Sequence, residues 1–251
     1  MGIPNFSIKG KVAIITGASG GIGKALSFGF AESGASVVLA ARSPAPLQAV
    51  ADEIKAKGGK ALAVPTDITN RAQVSEMVQR AVKEFGRLDV LINCAGGSSG
   101  REATLEMTEE SWTKNVDFNL KGAFLCCQAG GKVMVGQKSG IIINFATAAA
   151  QVAVPGELHY AAAKAGLIHL TRTLAAEWGR FNVRVNCISP GLVDDDLGRR
   201  SMGPTFEKFA KSTAMGRAAL PDDFVGLSVF LASDAASYLT GIIINVNGGP
   251  I

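Results

Sequence analysis

The chain has 251 residues, 47 % apolar and 18 % charged, with a formal net charge of +4, a length that allows one large domain or two small ones. Lysine and arginine are spread rather than run together, which leaves no nucleic-acid footprint, and no stretch approaches the ~18 uninterrupted apolar residues of a membrane span. Cys94, Cys126, Cys127 and Cys187 form no CxxC pair and have no histidine cluster nearby, so neither a metal site nor a disulfide framework is expected; they read as buried small hydrophobes in a reducing, cytoplasmic compartment.

The opening Met1-Gly2-Ile3-Pro4-Asn5-Phe6 has no basic segment leading into an apolar run, so no signal peptide is indicated. Phe6 stands where a myristoylation signal wants Ser or Thr. From there, short β-branched runs predict strands at 11–16, 36–41, 60–65, 90–93, 140–145, 183–189 and 242–246. They mostly do not alternate, as expected of strands buried on both faces. Between them, 71–85 carries Val74, Met77, Val78, Ala81, Val82 and Phe85 at the spacing of a helix with one buried face. Segments 160–179 and 222–232 also read as helices. Alternating strands and helices imply βαβ units, hence an α/β, Rossmann-type doubly wound fold on a mainly parallel seven-stranded sheet. The elements fill the chain, so 1–251 reads as one dinucleotide-binding and catalytic domain. Segment 192–217 is the least patterned and is expected to be a substrate lid.

Thr16-Gly17-Ala18-Ser19-Gly20-Gly21-Ile22-Gly23 follows the first strand and opens a helix near Gly21. A dinucleotide pyrophosphate needs such a turn: a backbone it can approach and a helix N-terminus offering free N–H groups. At the end of the second strand, where an acidic side chain would accept from the adenosine ribose of NAD, stands Ala41, followed by Arg42. An arginine fork suits a 2′-phosphate, so NADP(H) is preferred over NAD(H). Tyr160 and Lys164 are four residues apart and share one face of a helix. An ammonium about 4 Å from a phenol at an effective dielectric near 20 is worth roughly 4 kcal/mol, enough to bring a pKa of about 10 toward 7, where acid–base catalysis works.

With TGxxxGxG at the first turn, Asn93-Cys94-Ala95-Gly96 after the fourth strand, Tyr160-Ala161-Ala162-Ala163-Lys164, and Pro190-Gly191 after the sixth, the chain resembles the short-chain dehydrogenase/reductase family, in its shorter, ketoacyl-reductase-like branch. The resemblance implies interconversion of a secondary alcohol and a ketone by hydride transfer. In it Tyr160 trades a proton with the substrate oxygen, and Lys164 also holds the nicotinamide ribose. It implies that Asn119 helps hold a relay water. It places Thr147, in Asn144-Phe145-Ala146-Thr147, where the family has its catalytic serine. It carries cofactor contacts onto Gly17, Ser19, Gly21, Ile22, Gly23, Asp67, Ile68, Asn93, Ala95, Gly96, Pro190, Gly191 and Val193, with the Ile188 backbone at the carboxamide. Where the family usually has a cofactor-touching threonine this chain has Asp195, a carboxylate that must turn outward to avoid a pyrophosphate.

A small-molecule carbonyl or alcohol is the implied partner, 3-oxoacyl or otherwise small to medium and apolar. Leu192, Val193, Leu197, Met202, Phe206, Phe209 and Met215 in the lid fit such a substrate or simply pack on the protein. A homotetramer or homodimer is implied, through the helices near Asn119 and Tyr160. The rival reading is a catalytically silent nucleotide-binding subunit, with a sugar-nucleotide epimerase behind it.

Overall fold

The computed structural model describes residues 4–249; residues 1–3 and 250–251 lie outside the described residues, and with them the start of the segment read for a leader. In chain order the elements are β1 (Val12–Thr16), α1 (Gly21–Glu32), β2 (Ser36–Ala41), α2 (Pro44–Ala56), β3 (Lys60–Pro65), α3 (Arg71–Phe85), β4 (Val90–Asn93), α4 (Glu109–Val116), α5 (Gly122–Gln137), β5 (Gly140–Phe145), α6 (Leu158–Trp178), β6 (Val183–Pro190), α7 (Asp196–Met202), α8 (Phe206–Lys211), α9 (Val225–Ala232) and β7 (Ile243–Val246). Local chemistry sets several of these limits. Asn70 caps α3 by accepting from the Ala72 and Gln73 N–H groups at 3.0 and 3.2 Å, and Gly86, at φ 80°, ends it in the left-handed region.

The seven strands form one sheet in the order β3-β2-β1-β4-β5-β6-β7, every pair parallel. Chain direction across the sheet reverses between β1 and β4, the switch point outside which ligands of such sheets bind. Pairing places Thr16 beside Asn93, Asn93 beside Asn144, and Phe145 beside Ile188. The glycine turn, the loops carrying Ala95 and Thr147, and the end of β6 at Pro190 therefore lie at one edge. Two apolar layers clamp the sheet. Leu26, Phe30, Leu47, Phe224 and Leu231 pack one face, and Val74, Met77, Cys126, Met134 and Leu91 the other, all fully or almost fully buried. At ~1.5–3 kcal/mol per large side chain, these layers hold the strand ends in place.

The predicted strands agree with the observed ones to within about a residue. Three predicted segments differ. The helix expected over 222–232 starts as a 3-10 turn, Pro221–Phe224, because Asp223 folds back to accept from the Leu220 N–H at 2.8 Å. The helix expected over 160–179 begins at Leu158, and its tail tightens into a 3-10 turn, Gly179–Phe181. The stretch expected as a loop over 192–217 holds α7 and α8, with Asp195 capping α7 through the Gly198 N–H at 2.8 Å. Its Phe206 and Ala210 form a small core with Ala218, Leu192 and Met202, so those lid residues pack on one another. No helix among the described residues is long and apolar enough to cross a membrane.

Candidate active site

The glycine turn is built for close backbone approach. Gly17 and Gly21 have φ of +73° and +48°, where side chains are strained. A side chain on Gly17 would press on the Ala95 backbone at 3.0 Å, and one on Gly23 would run into the Gly17 carbonyl. Gly20 caps α1 in an extended conformation with no side-chain bond, and the helix has no acidic residue in its own first turn. Its free N–H groups thus face the cleft beside Ser19 and Ile22. Arg42 is exposed just past β2 with its guanidinium 5.2 Å from the Phe118 ring centroid, and no carboxylate stands at Ala41. Asp67 turns one oxygen onto the Thr69 N–H and hydroxyl at 2.9 and 2.8 Å. Ile68 is buried against Gly122, where an added Cβ would lie 2.6 Å from its Cδ1, so only its backbone can meet a ligand. The glycine turn and the uncapped helix N-terminus fit a pyrophosphate, and one residue departs from that fit. Asp195 does not turn outward: its Oδ2 would lie 2.5 Å from a Cβ on Gly21.

Tyr160 and Lys164 project from α6, as their spacing predicts. Lys164 is 3 % exposed and donates to the Phe145 carbonyl at 2.7 Å, at the end of β5. Asn119 sits in a π-helical turn, Asp117–Lys121, between α4 and α5. Its Nδ2 donates to the Asn115 and Gly97 carbonyls at 3.1 and 3.0 Å, and its Oδ1 accepts from the Gly97 N–H at 2.8 Å. Such bulges often mark functional sites. Lys164 and Asn119 meet over Gly96, where an added Cβ would lie 2.7 Å from Nζ and 2.9 Å from Oδ1. Thr147 follows β5, half-buried, its hydroxyl accepting from the Ala149 N–H at 3.3 Å.

Electrostatics corrects one expectation. Burial pushes the Tyr160 phenol up to about 12, with Glu157 and Cys94 adding to the rise and the nearby Thr147 hydroxyl opposing it. The Lys164 ammonium, 5.9 Å from the Tyr160 ring centroid, does not bring the phenol near neutrality. Desolvation of the phenolate is the largest effect on this group. Burial also lowers Lys164 to about 8, partly offset by Cys94 and Cys187.

The Asn93 side chain is buried, and its amide donates to Asn144 Oδ1 at 2.8 Å and Cys127 Sγ at 3.2 Å, so the side chain ties β4 to β5 and leaves the backbone as its means of meeting a cofactor. Gly191 packs against Asn247, its N–H donating to the Val246 carbonyl at 3.0 Å, and Val193 is buried in a bridge to Ala219. Sequence reasoning missed Glu157, buried three residues before Tyr160 with Oε2 unpartnered. It also missed that His159 is fully buried, its Nδ1 accepting from the Tyr160 N–H at 2.9 Å. A charged and an imidazole side chain within three residues of Tyr160 were the available signal. Cys126, Cys127 and Cys187 are buried and Cys94 half-buried, all unpaired. Burial pushes every one of these thiols up. No group of three or more His, Cys, Asp or Glu among the described residues could hold a metal.

A parallel sheet with a glycine turn at its switch point and a Tyr–Lys pair on a neighbouring helix defines an NAD(P)-dependent oxidoreductase acting on CH–OH groups. Known proteins agree. A family model described as enoyl-(acyl carrier protein) reductase matches residues 17–250. A 3-oxoacyl-[acyl-carrier-protein] reductase of Thermotoga maritima is 37 % identical over 243 residues, covering 96 % of this chain and 98 % of the relative. The crystal structure of a short-chain type dehydrogenase/reductase from Mycobacterium marinum superposes with a TM-score of 0.92 at 38 % identity, covering 97 % and 96 % of the two chains. A 7α-hydroxysteroid dehydrogenase complexed with NADH and 7-oxo glycochenodeoxycholic acid gives 0.94 at 34 % identity, covering 98 % and 96 %. The chain belongs to the short-chain dehydrogenase/reductase family.

Proposed function

We propose that the chain is an NADP(H)-preferring reductase of ketones, with Tyr160 as the proton donor to the substrate oxygen. The observation that carries this reading is the convergence of Tyr160, Thr147, Lys164 and Asn119 beside the glycine turn. When bound, the nicotinamide cofactor supplies the hydride. Gly17, Ser19, Gly21, Ile22 and Gly23 would hold its pyrophosphate, Arg42 its 2′-phosphate, Asp67 and Ile68 its adenine. Ala95, Gly96, Lys164, Pro190, Gly191 and Val193 would hold its nicotinamide half, with the Ile188 backbone at the carboxamide.

A phenol held near 12 stays protonated at neutral pH, which suits donation to the oxygen of a ketone being reduced. The Thr147 hydroxyl shares that oxygen with the phenol. The Lys164 ammonium, fixed by the Phe145 carbonyl, steadies the charge left when the proton moves. Asn119 holds the Gly97 loop over these groups and is the site of a relay water. The substrate is a 3-oxoacyl thioester or another small to medium apolar carbonyl. The Thermotoga relative's name and the exposed Leu197, Phe209 and Met215 of the 192–217 lid support this. The chain works in the cytoplasm as one domain and assembles as a homotetramer or homodimer. The exposed Trp112 on α4 and Phe124 on α5 support that assembly. The test is nicotinamide absorbance on a ketone panel for wild type and Tyr160→Phe. The variant should lose turnover and still bind NADPH; retained turnover refutes the assignment.

A further inference from the structure

The 192–217 segment reaches the glycine turn and the loop after β4. Asp195 lies over Gly21, where an added Cβ would lie 2.5 Å from its Oδ2, and Leu197 lies over Gly97, where an added Cβ would lie 2.8 Å from its Cδ2. The Asp195 carboxylate has two tasks. One oxygen accepts from the Gly198 N–H at 2.8 Å and caps α7. The other faces the first residue of α1, a twelve-residue helix whose N-terminus has neither a side-chain cap nor an acid of its own. That end bears roughly half a positive charge, which a single carboxylate suits. Arg199 does not draw the carboxylate away, being paired with Asp194 and Glu207.

We propose that Asp195 is a built-in occupant of the pyrophosphate seat, which holds dinucleotide affinity down and ties cofactor entry to movement of α7. This rests on the dinucleotide reading above. A pyrophosphate brings two negative charges to the place the carboxylate faces, and like charges this close repel. The carboxylate cannot rotate away by itself, because that would uncap α7. The first turn of α7 therefore moves with it, drawing Leu197 off Gly97.

The test measures NADPH, NADH and adenosine 2′-phosphate dissociation constants by calorimetry for wild type, Asp195→Asn, Asp195→Thr and Asp196→Asn. Asparagine and threonine keep the cap, so α7 survives. NADPH and NADH should bind at least tenfold more tightly to both Asp195 variants. Adenosine 2′-phosphate, which lacks the pyrophosphate, should change less than twofold, as should NADPH on Asp196→Asn, an equal charge change at an exposed neighbour. Equal or weaker NADPH binding by the Asp195 variants, with wild type binding well, overturns the role of Asp195 alone. Failure of every form to bind either dinucleotide overturns the cofactor reading and this proposal with it.

Discussion

Replacing Lys164 by methionine isolates the cost of the buried ammonium. Burial lowers this amine from 10.5 to about 8, a difference worth roughly 3 kcal/mol at about 1.4 kcal/mol per pH decade. The folded pKa lies below the unfolded one, so the unfolded chain binds the extra proton between pH 8 and 10.5. Below pH 8 the folded chain carries the full cost; it is relieved as pH rises through that window and is gone above 10.5. The methionine variant has no such cost. It leaves the Phe145 carbonyl without its donor, an offset of about 1–3 kcal/mol that does not vary with pH. The stability difference between variant and wild type should therefore shift by roughly 2 kcal/mol toward wild type from pH 7.5 to 10. Urea unfolding followed by far-UV circular dichroism, at one protein concentration, measures it. The raised thiols of Cys94, Cys127 and Cys187 erode both proteins above pH 9, so only the difference is diagnostic. Parallel stability curves for the two proteins would refute a depressed, buried Lys164.

Arg42→Ala should raise the NADPH dissociation constant at least about tenfold, the loss of a charge-assisted hydrogen bond of ~1.5–3 kcal/mol. NADH binding should change less than about threefold, and equal effects on both would remove Arg42 from the 2′-phosphate. Gly23→Ala forces a methyl into the Gly17 carbonyl. Backbone cannot step aside as a side chain can, so a loss of at least about 2 kcal/mol and a Tm lowered by roughly 5 °C are expected. An unchanged melting curve would show that the turn tolerates a side chain. Thr147→Ala should lower kcat at least about 100-fold at saturating cofactor, while Thr147→Ser stays within about tenfold of wild type. An alanine variant as fast as wild type would leave Tyr160 to act without a second donor.

The strands were legible because both-face burial leaves uninterrupted apolar runs such as Val12-Ala13-Ile14-Ile15 and Ile141-Ile142-Ile143. The glycine turn was legible because backbone approach admits so few residues. The helix α7 was not. Asp-Leu-Gly-Arg-Arg-Ser-Met has no apolar stripe, and its cap hides inside Asp194-Asp195-Asp196, where any of the three could serve. The four-residue spacing placed Tyr160 and Lys164 on one face but carried no information on burial, and burial decides both pKa values. The structural role of the Asn93 side chain was hidden for a related reason. A polar residue ending a strand can face the ligand or a neighbouring polar residue, and only its register with Asn144 shows the second.

That register explains how the site keeps its shape. Asn93 donates to Asn144, Asn144 donates to Thr171 Oγ1 at 2.9 Å, and Thr171 donates to the Leu167 carbonyl at 2.9 Å. All three side chains are fully or nearly fully buried. The chain of bonds runs from β4 through β5 into α6, two turns below Lys164. Each bond contributes only about 1 kcal/mol net, yet breaking one strands a buried polar group at a cost of ~1–3 kcal/mol. Sliding α6 along the sheet would break the link at Thr171 and the Lys164 bond to Phe145 together. Tyr160, on the same helix, is thus held in register with Thr147 at the end of β5 by bonds two turns away as well as by Lys164. Asp195 caps α7, outside this chain of bonds, so the lid and the Tyr160–Lys164 face are fixed by separate contacts.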